Sequence, residues 1–188
     1  MMTDADLILC ELLVIRCQRR DRRAANELVT LFEKPLLYYL RRMMGSEDDA
    51  WDLVQETWAS VFKALPTLRD ARSLPAFLYR TARNHALALL RHRQADLRLY
   101  AAIEPSLENM DREPNFTSDD AAAIHAGLTN LSLPHREVLT LFFLEQLTID
   151  EIASVLSLPT GTVKSRLHHA KKALRTILNE GERDVARE

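Results

Sequence analysis

The sequence predicts an all-α protein built as two small helical domains joined by a flexible acidic linker. Glycine and proline are scarce, 4 and 7 in 188 residues, so few positions force a helix to stop. The runs on either side of the linker are rich in Ala, Leu, Arg and Glu, and β-branched runs that would make strands are few. Periodicity fails over residues 101–118, "AAIEPSLENMDREPNFTS", where prolines, turn formers and acids leave nothing to pack. The resulting boundaries are 1–98 for the first domain, 99–118 for the linker, 119–180 for the second domain and 181–188 for a tail.

In the first domain, helical patterns run from Asp4 to about Arg19 and from about Asp21 to Met43, with the Arg-rich "RCQRRDRR" at their junction. Gly45 and Ser46 end this pair. A third helix, Glu47 to Leu65, has an apolar stripe of Val54, Trp58, Val61 and Leu65. "LPTLRDARSLP" is a loop bracketed by Pro66 and Pro75, and a fourth helix extends from about Ala76 to about Leu97. The second domain opens near Ser118, with helices expected at about 119–130, 133–145, 149–156 and 161–178.

Net charge is only −2, with 25 Lys and Arg against 27 Asp and Glu, but the charges are segregated. Five Arg and no acid lie between Arg72 and Ala95, and five Lys or Arg and no acid between Thr160 and Leu178. Acids gather in Glu47, Asp48, Asp49, Asp52 and Glu56, and again in the linker and just beyond it. Such segregation predicts separate basic and acidic surfaces with different partners. Cys10 and Cys17 lie too far apart along one helix for a disulfide, which fits a reducing compartment and a packing role. The apolar stretch "LILCELLVI" contains Glu11, follows acids and is too short to span a bilayer. A soluble, cytoplasmic protein with no membrane insertion is expected.

The stretch "LTIDEIASVLSLPTGTVKSRLHHAKKAL", residues 147–174, reads as a helix-turn-helix. Thr148 and Glu151 form a capping box, the hydroxyl accepting from the Glu151 N–H and the carboxylate from the Thr148 N–H, so a helix starts there. Pro159 and Gly161 supply the reversal. The second helix buries Val163, Leu167, Ala170, Leu174 and Ile177, and turns Thr162, Lys164, Ser165, Arg166, His168, His169, Lys171, Lys172 and Arg175 outward. Such a helix fits a major groove, its first turns reaching base edges while flanking cations hold phosphates. Alone, the same pattern also describes a packed helical hairpin with a solvated basic face.

Taken in order, "SEDDAWDLVQETWASVFKAL", "FLYRTARNHALALLRHRQ" and the helix-turn-helix stretch resemble the extracytoplasmic-function (ECF) group of bacterial sigma-70 family factors, from about residue 7 to 178. The resemblance implies sigma-2-like and sigma-4-like domains that bind core RNA polymerase, at the beta-prime clamp helices and the beta flap, and read two elements of promoter DNA. Asp49, Asp52, Gln55 and Glu56 match the family segment that docks on the clamp helices. Asp49, Asp52 and Glu56 also make one acidic face clear of the Val54/Trp58 stripe, suited to a basic partner. Arg80, Arg83, Asn84, Leu87 and Arg91 match the helix that reads and melts the downstream (−10) element. The loop Leu68 to Leu74 matches one that captures a flipped base. Thr162, Lys164, Ser165, Arg166, His168 and His169 fall on the helix that reads the upstream (−35) element. The chain departs from the family at Phe77 (commonly Trp), Ala88 (Asp), Leu68 (Phe) and His169 (Arg). An anti-sigma factor is a common partner in the family, and no residue here identifies one.

No phosphate-binding loop, dinucleotide fingerprint or nucleophile elbow is present, so no enzyme, catalytic residue or cofactor is expected. Adjacent His168 and His169 point apart on a helix and suit no shared metal. The competing readings are a helix-turn-helix regulator acting outside polymerase, which would need a dimer interface that no pattern supplies, and a sigma-like interaction protein that does not initiate transcription.

Overall fold

The computed structural model describes residues 4–101 and 127–185; the expected linker and most of the helix expected at 119–130 lie outside the described residues. Among the described residues every regular element is helical. Helix α1 spans Asp4–Gln18 and α2 Arg22–Met44. The break between them has two causes. Arg20 takes a left-handed conformation, φ 66°, and the Asp21 carboxylate caps α2 by accepting from the Arg23 and Ala24 N–H groups at 2.9 and 3.3 Å. The buried face of α2 is Ala24, Leu28, Phe32, Leu36, Tyr39, Leu40 and Met43, a stripe at helical spacing. Gly45 ends α2 at φ 72°, where a side chain would be strained, and Ser46 caps α3, Glu47–Ala64.

Helix α3 buries Leu53, Val54, Thr57, Trp58 and Val61, with Trp58 stacked on Phe62 at 5.3 Å. The expected loop is two 3₁₀ turns, Leu65–Thr67 and Ala71–Ser73. It is tied to α1: the Gln18 amide donates to the carbonyls of Leu65 and Leu68, at 3.1 and 2.8 Å, and Arg72 pairs with Glu11 at 2.9 Å. Helix α4, Leu74–Ala101, begins two residues before the expected Ala76, because Pro75 is well tolerated in a first turn whose N–H groups have no helical partner.

In the second unit, α5 covers only Leu133–Leu139 and passes into a π turn, Thr140–Leu144, where a continuous α-helix to 145 was expected. Helix α6, Ile149–Leu156, carries the expected capping box, with Glu151 accepting from the Thr148 N–H at 2.8 Å and Thr148 from the Glu151 N–H at 3.3 Å. Helix α7 spans Thr160–Val185. The reversal between them differs from the expectation. Its left-handed residue is Ser157, φ 55°, whereas Gly161 sits inside the first turn of α7 with open space around it. The close approach is at Gly127, where a Cβ would stand 2.8 Å from a terminal methyl of Leu174 of α7, a side-chain end that would have to shift.

The two units are packed together. Helix α4 lies against α6 and α2 against α5, and buried side chains form one continuous cluster from Leu13 through Tyr39 and Tyr79 to Leu141 and Val163. Among the described residues no helix is long and apolar enough to cross a membrane.

Candidate polymerase and promoter interfaces

The acidic face of α3 splits into two kinds of group. Asp52, Gln55 and Glu56 are exposed. Asp49 is half-buried and held by both terminal nitrogens of Arg93 on α4, at 2.6 and 2.7 Å, a planar two-point pairing that pulls its carboxyl below the usual carboxylate range. Arg93 therefore clamps the far half of α4 to the start of α3. Glu56 stands 3.6 Å from the His85 ring, whose other nitrogen meets the Ser60 hydroxyl at 3.0 Å. Trp51, 38% exposed, sits among these acids and was not singled out by sequence.

On α4 the five predicted residues are also divided. Arg80, Asn84 and Arg91 are exposed and Leu87 is half-buried. Arg83 is only 19% exposed, because its Nε donates to Glu137 Oε1 of α5 at 2.8 Å. That oxygen also accepts from the Tyr39 hydroxyl at 2.9 Å. A second buried pair lies beside it, Tyr79 of α4 donating to Glu145, and the Tyr39 and Tyr79 rings meet edge to face at 5.3 Å. Burial, then the neighbouring carboxylates, raises both phenols well above their ordinary range, and burial pushes Glu145 up to about 7 against the opposing Tyr79 hydrogen bond. Sequence reasoning missed this network. The available signal was a glutamate inside each of two apolar runs, "REVLTL" and "FFLEQL", where an unpaired acid would not be tolerated.

Arg136 closes the same junction. Its guanidinium donates to four backbone carbonyls: Leu128 and Leu131 at 3.0 Å, and Thr129 and Arg42 at 2.8 Å. The last belongs to α2, and Arg42 in turn donates to the Thr129 hydroxyl at 3.0 Å.

Helix α7 presents its predicted face almost as expected. Thr162, Lys164, Ser165, His168 and His169 are exposed, while Arg166 is half-buried; Val163, Leu167 and Ala170 are buried. Lys171 lies over the Phe142 and Phe143 rings at 5.5 and 5.3 Å, so part of the cationic face rests on aromatic surface. Cys10 is buried and Cys17 half-buried; burial raises both thiols, Cys10 to about 12, which disfavours the thiolate form. Among the described residues no cluster of His, Cys, Asp and Glu is arranged to hold a metal ion.

The Sigma-70 region 2 family matches residues 28–95 and the Sigma-70 region 4 family residues 121–174. The chain is 31% identical to the RNA polymerase sigma-H factor of Pseudomonas aeruginosa, with 89% of this chain and 95% of that protein covered. It is 26% identical to the ECF RNA polymerase sigma factor SigW of Bacillus subtilis, over 87% and 93%. Among solved structures, CnrH in complex with the cytosolic domain of CnrY superposes with a TM-score of 0.67 at 26% identity, covering 92% of this chain and 98% of that one. RpoE of Bartonella quintana, solved with the anti-sigma factor NepR, shares the fold at 22% identity, with a TM-score of 0.68 and coverage of 82% and 96%. With both regions present in order over the helices just described, the chain belongs to the sigma-70 family, in its extracytoplasmic-function group of RNA polymerase sigma factors.

Proposed function

We propose the following division of labour within this sigma factor. The first unit, residues 1–98, docks on the beta-prime clamp helices of core polymerase through Asp52, Gln55 and Glu56, with Asp49 as a shared group. It then reads and melts the −10 element through Arg80, Arg83, Asn84, Leu87 and Arg91. The second unit, residues 119–180, reads the −35 element through Thr162, Lys164, Ser165, Arg166, His168 and His169, and meets the beta flap. The observation that carries the reading is the pairing, in one chain, of an exposed acidic helix face with an exposed cationic recognition helix whose apolar stripe is buried.

Duplex opening in this scheme draws on binding energy: unstacked bases gain contacts with α4 and the loop before it, and no group of the chain performs covalent chemistry. The protein works in the cytoplasm, where polymerase and promoter meet. CnrH was solved holding the cytosolic domain of a second protein, and a regulatory protein partner of that kind completes the proposed set. Run-off transcription with purified core polymerase tests the whole scheme. Promoter-specific transcripts that need this chain are expected; DNA binding without transcripts would mean a regulator acting outside polymerase instead.

A further inference from the structure

Two stretches marked in the sequence have no part in the function proposed above, the apolar "LILCELLVI" and the arginine-rich "RCQRRDRR" that follows it. They make up most of α1 and the turn after it. Cys10, Leu13 and Val14 of α1 are buried in the first unit, as a packed helix requires, but the opposite side of the helix is apolar too. Of the seven large hydrophobic side chains exposed among the described residues, five lie on this one helix: Leu7, Ile8, Leu9, Leu12 and Ile15. Ile8, Leu12 and Ile15, exposed by 68%, 52% and 44%, form the centre line of that side, with Ala5 before them and Arg19 after, both exposed. Positions 5, 8, 12, 15 and 19 alternate intervals of three and four, the spacing of a coiled-coil seam. Two heptads are too few to mark a coiled coil in a sequence, and it is the fold that reveals the seam by leaving it uncovered. Beside Leu9 a groove of about 390 Å³ between α1 and α2, with Leu13 and Leu31 in its lining, widens the apolar surface. An apolar patch of this kind, rimmed by charge, marks a protein-binding surface.

We propose that this face binds a second copy of the chain, α1 against α1 in antiparallel register about a two-fold axis at Leu12. Charge selects both the occupant and the direction. Helix α1 starts with Asp4 and Asp6 in its first turn, and beyond its last turn stand the exposed Arg19, Arg20, Arg22 and Arg23. Laid head to tail, the acidic end of each copy meets the basic end of the other, and symmetry makes the pairing twice. With Leu12 opposite Leu12, Ile8 and Leu9 come against Ile15, and Arg19 falls opposite Ala5. That small side chain leaves room for the arginine stem to cross toward the other copy's first turn. The parallel arrangement would instead set Arg19 against Arg19 within the apolar seam, like charge facing like. A uniformly acidic or uniformly basic partner would be repelled at one end; an occupant that carries both signs in reversed order satisfies both, and α1 itself is such a helix.

Sedimentation velocity on the full chain from about 0.1 to about 100 µM, where weak homodimers dissociate, tests the pairing. Reversible dimerisation is expected for the wild type. Leu12→Glu brings two carboxylates together on the axis and should raise the dimer dissociation constant roughly a hundredfold or more, without lowering the urea midpoint, because Leu12 is exposed. Arg19→Asp should shift it in the same direction, and decides on the same readout should Leu12→Glu lose its helical signal. Thiol-specific cross-linking in a Cys17→Ser background fixes the direction: Leu12→Cys is expected to link to itself, and Arg19→Cys to Ala5→Cys but not to itself. A wild type that stays monomeric across the range overturns the proposal. So does a dimer that survives both Leu12→Glu and Arg19→Asp, or one in which Arg19→Cys links to itself. A monomeric wild type whose core-polymerase binding is weakened by Leu12→Glu would overturn it too, and would assign the face to polymerase.

Discussion

Two helices of this molecule carry cations without acids over their working stretches, and the structure treats them in opposite ways. On α7 the exposed face keeps Lys164, His168 and His169 at the surface. On α4 two arginines of the basic run are engaged from inside the molecule, Arg83 by Glu137 and Arg93 by Asp49. A run of like charge in a sequence therefore marks a surface able to bind anions and does not say whether the anion is a partner's or the chain's own. Helix α7 leaves Lys164 and both histidines at the surface, whereas α4 has two of its arginines paired within the chain and keeps Arg80, Asn84 and Arg91 exposed.

The comparison breaks most severely if the junction itself is removed. Arg136→Ala leaves four carbonyls without their charged donor, and a loss of about 4 kcal/mol in unfolding free energy is expected from urea titration. A loss under about 1 kcal/mol would show that water replaces the guanidinium with little penalty.

Acidity sharpens the contrast next. The described titratable groups around Glu145 are the Tyr79 hydroxyl of α4 and Tyr38 and Tyr39 of α2. With its carboxyl raised to about 7, the folded chain holds a proton that the unfolded chain has released. Below about pH 4.5 the two states are alike; as pH rises from there through about 7 the folded state loses stability, by on the order of 3 kcal/mol in all. Urea midpoints between about pH 5 and pH 8 should fall for wild type and, as far as this group is concerned, stay level for Glu145→Gln.

The proposed DNA faces and the acidic face follow at smaller scale. Lys164→Ala and Arg166→Ala should each weaken duplex binding by roughly 1 to 3 kcal/mol, with sequence preference relaxed only where a base contact is lost. On α3, Asp52→Lys should reduce core-polymerase binding and leave the unfolding midpoint unchanged, because Asp52 is exposed. Asp49→Lys should reduce both, because it also releases Arg93. Equal midpoints for the two reversals, measured beside a polymerase titration, would mean that the Arg93 pairing adds nothing to the fold. The smallest effect is expected at Thr57, whose buried hydroxyl has no hydrogen-bond partner: Thr57→Val should stabilise by up to about 1 kcal/mol in the same titration.

The helices, the capping box at Thr148 and Glu151, and the buried stripes of α3 and α7 were legible because each is a local pattern, decided by residues within two turns of one another. The surface positions of Lys164 and Ser165 followed from the same periodicity. The pairing of Arg83 with Glu137 was not legible, since its partners lie 54 residues apart and Tyr39 reaches the same carboxylate across 98. Periodicity says which face of a helix is inward and never which other face it meets. The turn at Ser157 was missed for a different reason: glycine is the residue that usually takes a left-handed conformation, and Gly161 drew the assignment although a serine four positions earlier adopts it.

The π turn at Thr140–Leu144 has a consequence in the currency of insertions and deletions. The Glu145 N–H bonds to the Thr140 carbonyl five residues back, at 3.1 Å, which is one residue more than an α-helical turn requires. Removing one residue from this segment would let α5 run on as a regular helix, with the same Glu145 N–H to Thr140 carbonyl bond now closing an ordinary α-helical turn. The residues after the turn would keep their facing, and the carboxyl of Glu145 would still meet Tyr79. A single lost codon in this stretch would thus be absorbed by the widened turn, whereas one lost from α4 would rotate every side chain after it.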